Sequence, residues 1–200
     1  MKEPTIHFSN PFKERVLFTG MPQEGKSNAL AYFLSITRNP WIMFNTLNLP
    51  LFNNLPRLNP RMQRVISPHS EAERLPLFKK ICRAAYLQGN VLFAVDEAHE
   101  FCTKYEIEPE HKTLLLEGGN RNVGHFAATQ SIADINNKII RSSRHHLIFR
   151  TFMPQDVDWY GKFVPKDYIL MSKDLPQYWF IYYRLGGTPQ IMKPLKKMGD

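Results

Sequence analysis

The eight residues GMPQEGKS (20–27) follow the apolar run RVLFT (15–19) and lead into KSNALAYFLSIT (26–37). They match G-x-x-x-x-G-K-[ST], the pattern of a phosphate loop. The chemistry of such a loop dictates its residue types. Glycines let backbone N–H groups converge on an anion without side-chain clash. A helix that begins near Gly25 turns its positive dipole end toward the phosphates. Lys26 is placed to neutralise β and γ oxygens, and the Ser27 hydroxyl to ligate Mg²⁺. The pattern therefore predicts that Gly20, Met21, Pro22, Gln23, Glu24, Gly25, Lys26, Ser27 and Asn28 surround a bound nucleotide, with ATP and Mg²⁺ as cofactors.

A phosphate loop needs a scaffold, and the rest of the chain supplies its pattern. RVLFT (15–19), WIMFN (41–45), VLFAV (91–95), HFAAT (125–129), HHLIFR (145–150) and YWFIYYR (178–184) read as strands, the last being the final one. MQRVIS (62–67) reads as a shorter strand. Helices are expected over 26–37, 75–89, 110–122, 133–142 and 154–163. In the second of these, Leu75, Phe78, Cys82 and Ala85 share a face, Pro76 lies early and Gly89 is the stop. Residues 46–64 read as a long connection. Alternating strands and helices imply βαβ units and a mostly parallel sheet covered on both faces. Ligands of such sheets bind beyond the carboxyl ends of the strands. Three polar clusters fall there: GMPQEGKS, DEAHE and TQS.

VLFAVDEAHE puts Asp96 and Glu97 directly after a buried strand. Adjacent carboxylates repel unless a cation or a chemical task holds them. Asp96 suits the Mg²⁺ shell, and Glu97 suits a general base for the attacking water. His99 reads as a surface or supporting residue. HFAATQS places Gln130 at the next strand tip, where an amide can feel the γ-phosphate. Hydrolysis also needs an arginine aimed at the developing charge. Arg121, Arg141, Arg144 and Arg150 are the candidates. Arg121, on the loop entering the Gln130 strand, is favoured as a finger delivered to a neighbouring subunit.

Composition narrows the partner. The chain has 200 residues and a net charge of +8, which favours a polyanion such as nucleic acid. Its apolar runs are too short to span a bilayer, and the N-terminus lacks an apolar signal core. Two cysteines, Cys82 and Cys102, argue against a disulfide scaffold. A soluble, cytoplasmic chain is expected.

The order strand–GMPQEGKS–helix, VLFAVDEAHE, NRNVGHFAATQS, helix, HHLIFR resembles the FtsK–HerA superfamily of DNA-pumping ATPases. It is most similar to the small genome-packaging ATPases of membrane-containing viruses, archaeal ones included. The fold this implies is α/β, a P-loop NTPase of the RecA/ASCE-like kind: a three-layer sandwich about a mostly parallel central sheet. One ATPase domain over 1–200 is expected, with its core over about 14–160 and a C-terminal strand and basic tail over 161–200. The resemblance further implies a homo-hexameric ring that pumps double-stranded DNA, without sequence preference, into a preformed capsid. ATP would lie between subunits. Lys26 and Ser27 would carry nucleotide and metal, Asp96 and Glu97 metal and water activation, Gln130 the sensor and Arg121 the trans finger. Gly118-Gly119 interrupts the helix leading to Arg121. A capsid or membrane protein at the packaging vertex, a host-cytoplasmic location and association with the virion are implied as well. The alternative is an assembly or secretion ATPase resembling zonula occludens toxin, or a plasmid DNA-transfer ATPase, acting as a switch rather than a pump.

Overall fold

Five of the apolar runs become parallel strands, and the alternation within each decides which layer it feeds. The computed structural model describes Ile6, Phe8 and residues 10–198. Its strands are β1 (Arg15–Thr19), β2 (Trp41–Asn45), β3 (Gln63–Ile66), β4 (Val91–Val95), β5 (Val123–Thr129), β6 (His145–Phe149), β7 (Phe180–Arg184) and β8 (Gln190–Met192). They form one eight-stranded sheet in the order β3-β2-β4-β5-β1-β6-β7-β8. Pairing is parallel from β3 through β6 and antiparallel for β6–β7 and β7–β8.

The helices are α1 (Lys26–Ile36), α2 (Pro50–Asn53), α3 (Glu71–Gln88), α4 (Pro109–Glu117), α5 (Asn137–Ser142), α6 (Pro154–Tyr160) and α7 (Lys166–Ser172). Val16 and Phe18 point to one face of the sheet and Leu17 to the other, as a two-residue period requires. On the first face they meet Leu30, Phe33 and Leu34 of α1 and Phe52 of α2. On the second, Phe93 and Val95 of β4 meet Phe78 and Cys82 of α3 and Leu114 of α4. This is the expected three-layer α/β sandwich. No helix among the described residues is long and apolar enough to cross a membrane.

Four expectations need correction. The second helix starts at Glu71, not 75, because Glu71 and Glu73 in its first turn favour the positive dipole end. Pro76 thus lies inside α3 and removes one helical hydrogen bond, offset by the burial of Phe78, Cys82 and Ala85. Helix 133–142 shrinks to Asn137–Ser142, since the Asn136 side chain accepts the Lys138 N–H at 3.1 Å and caps it there. Helix 110–122 stops at Glu117, and Gly118–Arg121 form a 3₁₀ turn. Finally, β7 is not the last strand: a turn at Gly186-Gly187 returns the chain as β8, and α7 precedes both.

The α3–α4 face buries an unusual polar pair. His111 and His125 are both fully buried, Nε2 to Nε2 at 2.9 Å, among the rings of Phe78 and Phe93. Burial pushes His111 down to about 3 and His125 well below its ordinary value. On β6, burial likewise lowers His146 to about 4. These imidazoles are neutral in the fold, whereas in the unfolded chain they titrate near 6.5. Below about pH 6.5 the unfolded state therefore binds more protons, and stability falls as pH drops toward the folded values. Each such group contributes up to about 1.4 kcal/mol per pH unit in that window. The urea midpoint should fall between pH 7 and pH 5, and the fall should shrink in a His111→Leu/His125→Leu double variant.

Candidate functional site

β1 lies between β5 and β6, and β5 lies between β1 and β4. The carboxyl ends of β1, β5 and β4 are therefore neighbours on one edge. Thr19 of β1 is level with Thr129 of β5. This brings together the three polar clusters expected from the sequence.

The loop after β1 folds under tight steric constraint. Gly20 has φ +140°, and a Cβ there would lie 2.7 Å from the Phe149 Cβ. No other residue fits. Met21 N–H donates to the Arg150 carbonyl at 3.0 Å, which pins the loop to the tip of β6. Gly25, at φ +107°, caps the start of α1 and accepts the Ala29 N–H at 2.9 Å. The first turn of α1 carries no acidic residue, so its positive end is left for a ligand.

Charge around the loop is dense and buried. Lys26 is 5% exposed, and its Nζ donates to the Met21 carbonyl at 2.8 Å. Burial lowers its pKa, and the carboxylates of Glu97, Asp96 and Glu24 oppose that shift. Glu24 is also buried and pairs with Arg150, whose Nε donates to Oε1 at 3.0 Å and whose Nη2 reaches the same oxygen. An acid inside an anion-binding loop needs such a countercharge. Sequence reading placed Arg150 only among the candidate fingers. The signal that could have found its partner is Glu24 itself, a negative charge in a loop built for anions.

The Ser27 hydroxyl donates to Asp96 Oδ1 at 3.3 Å. Asp96 is fully buried, and its Oδ2 has no hydrogen-bond partner among the described residues. Burial, then the Glu97 charge, raises its pKa to about 7, while Ser27 and Lys26 oppose the rise. The Thr46 hydroxyl donates to the Asp96 backbone carbonyl and fixes the strand tip. A hydroxyl beside an under-satisfied buried carboxylate fits a hard divalent cation that takes its other ligands from phosphates and water. Ser27 and Asp96 are thus the residues that could hold Mg²⁺.

Glu97 is 7% exposed and sits in the left-handed region at φ +51°. For a glutamate this is a strained geometry of the kind that collects at functional sites. Gln130 Nε2 donates to Glu97 Oε1 at 3.3 Å. His99 Nδ1 lies 3.4 Å from Glu97 Oε2 and 3.3 Å from the Thr129 hydroxyl. His99 therefore stands behind Glu97, in a supporting position.

Arg121 is elsewhere. It precedes β5, at the opposite end of a seven-residue strand from Gln130, a separation of about 20 Å. It is exposed, its Nη2 donates to the Leu87 carbonyl at 3.0 Å, and its guanidinium lies over the Tyr86 ring. The Asn90 N–H, just ahead of β4, donates to the Arg121 carbonyl at 2.9 Å. Arg121 cannot serve the loop of its own chain. Arg141 and Arg144 are exposed and outside the cluster.

A cleft of about 860 Å³ opens over the loop. Gly25, Lys26, Ser27, Glu97 and Gln130 line one part of it; Leu47, Leu49, Leu51, Tyr178, Pro194 and Leu195 line the rest. The second group had no motif to mark it. Leu47, Leu49 and Leu51 come from the 46–64 connection.

No protein-family model matches the chain, and neither does any curated protein. Solved structures do. The genome-packaging NTPase of Sulfolobus turreted icosahedral virus 2, in complex with ATPγS, superposes with a TM-score of 0.74 at 20% identity, over 92% of this chain and 99% of that one. The DNA-packaging ATPase of Sulfolobus turreted icosahedral virus gives 0.77 at 19%, over 94% and 100%. The N-terminal domain of zonular occludens toxin from Neisseria meningitidis gives 0.50 at 14%, over 92% and 95%. The fold is that of P-loop ATPases.

Arg150→Ala would leave Glu24 buried and unpaired, a loss of about 1–3 kcal/mol. Adding Glu24→Gln should recover most of it in denaturant titrations. Additive losses in the double variant would show that the pair is not coupled.

Proposed function

We propose that the chain is a Mg²⁺-dependent ATPase that moves double-stranded DNA, packaging a viral genome into a capsid. The observation that carries the ATPase reading is the join between two strand tips: Ser27 of the phosphate loop hydrogen-bonded to buried Asp96, with Glu97 and Gln130 beside them. The loop amides and Lys26 bind the triphosphate, Lys26 exchanging the Met21 carbonyl for phosphate oxygens. Ser27 and Asp96 would hold Mg²⁺, which would supply charge neutralisation at the triphosphate. Glu97 takes the proton of the attacking water at a carboxylate oxygen. Gln130 then divides its amide between Glu97 and the γ-phosphate, so its position reports whether that phosphate is present. Arg121 enters from a neighbouring copy in a homo-hexameric ring, releasing Leu87 to do so.

The DNA reading rests on the +8 charge and on the fold likeness to viral packaging ATPases. Lys104 and Tyr105, the latter 84% exposed, lie on the loop after β4. Asn136 Nδ2 donates to the Thr103 carbonyl at 3.3 Å, tying that loop to the segment that carries Lys138. These basic loops form one surface suited to a DNA backbone. The fold likeness to the zonular occludens toxin domain favours a second reading, an assembly or secretion ATPase that works as a switch. Location in the host cytoplasm and a capsid or membrane-protein partner belong to the packaging reading.

Turnover of Mg-ATP with and without duplex DNA separates the two. A pump should be stimulated by DNA, and the stimulation should fade steeply with salt; a switch should be indifferent. Glu97→Gln should keep ATP binding and lose about 10²–10⁴-fold in turnover, and unchanged hydrolysis would remove Glu97 as the base. Arg121→Ala and Lys26→Ala should each be inactive alone, yet mixtures should regain part of the rate. Wild-type rates from Arg121→Ala alone would end its role as the finger.

A further inference from the structure

The cleft over the phosphate loop extends beyond what phosphates fill, and its outer walls are segments that no motif marks. Beyond β8 the chain crosses the first turn of α1. Asn28 grips it from two sides: Nδ2 donates to the Lys196 carbonyl at 3.2 Å, and Oδ1 accepts the Met198 N–H at 2.7 Å. Leu195 and Met198 pack against the core layer that contains α1. This strap is therefore tethered at both its backbone and its side chains, and Pro194 and Leu195 stand as a fixed wall of the cleft.

Tyr178 supplies an aromatic group to the same space. Its backbone lies at φ +68°, a strained outlier for a bulky residue. Its ring rests on the phosphate loop, with Cδ1 3.3 Å from where a Gly25 Cβ would be. The residue is 47% exposed, so this placement is not explained by burial. Strain that holds an exposed aromatic against an anion-binding loop is the arrangement of a ligand platform.

We propose that Tyr178, Pro194 and Leu195 form a nucleobase subsite that takes the base by stacking and apolar contact, accepting adenine and guanine alike. The proposal rests on the nucleotide reading of the phosphate loop. The argument for weak base selection is an inventory of partners. Outside the phosphate loop, the polar side chains lining the cleft are Asn28, Lys197, Glu97, Gln130 and the Tyr178 hydroxyl, and Gln23 lines it from within the loop. Asn28 uses its amide on the strap, and Glu97 and Gln130 engage each other at the reacting end. Lys197 offers donors only. The outer wall itself, Tyr178, Pro194 and Leu195, carries one hydroxyl and no amide to read a base edge, whereas every base has a face to stack.

The test compares Kd values of the full chain for ATP, GTP and inorganic tripolyphosphate, in wild type, Tyr178→Gly and Leu195→Ser. Glycine removes the ring and relaxes the positive φ, so Tyr178→Gly should fold; its melting temperature checks this, and Leu195→Ser probes the opposite wall independently. In wild type, ATP and GTP should bind within about threefold of each other and both about tenfold or more tighter than tripolyphosphate. Each variant should weaken ATP and GTP about tenfold and leave tripolyphosphate unchanged. Equal loss for all three ligands would make these residues mere supports of the loop and overturn the subsite. So would unchanged ATP binding in both variants, equal wild-type affinity for ATP and tripolyphosphate, or a strong preference for one purine. If wild type binds none of the three, the nucleotide reading itself falls and the subsite with it.

Discussion

Parallel register between β4, β5 and β1 is the constraint from which the site follows. The phosphate loop, Asp96 and Gln130 lie far apart in the chain. They meet because three neighbouring strands run the same way and end within two residues of one another. Once β1 is flanked by β5 and β6, the loop after it must turn within one residue of the Phe149 backbone, and only glycine at 20 permits that turn. The helix start then aims the lysine and the serine, and the Met21 carbonyl and Asp96 hold their side chains.

Electrostatics adds a second layer. Three buried acids, Glu24, Asp96 and Glu97, surround one buried lysine, and Arg150 balances the first of them. Burial alone would drive Lys26 toward neutrality and Asp96 toward protonation, and each moderates the other's shift. The cluster is held by mutual compensation, with one carboxylate oxygen of Asp96 still wanting a partner. Such a site is poised to gain from a cation and an anion arriving together.

Much of this was legible in the residues. Continuous apolar runs such as VLFAV gave buried parallel strands because both faces are covered, and the loop motif carried its own stereochemistry. Less legible were features set by tertiary contact. Asn136 reads as part of a helix until its cap is seen; α3 begins before Pro76 because packing of Phe78 and Cys82 outweighs one missing hydrogen bond. Glycines 186 and 187 permitted a final hairpin without announcing its partner strand. The strap over α1 has no periodicity, since it is held by two hydrogen bonds to Asn28 and by the packing of Leu195 and Met198. Arg121 was read correctly as lying on the approach to β5, but its engagement with Leu87 and Tyr86 depends on a helix far away in the chain.

That engagement gives β4 a mechanical character. The Arg121 carbonyl is fastened to Asn90 at one end of the strand, and Asp96 and Glu97 emerge from the other. Five extended, fully buried residues separate the two, a strut of about 17 Å with little compliance. A displacement at the Arg121 turn would therefore be conveyed along this strut to the two carboxylates with little loss.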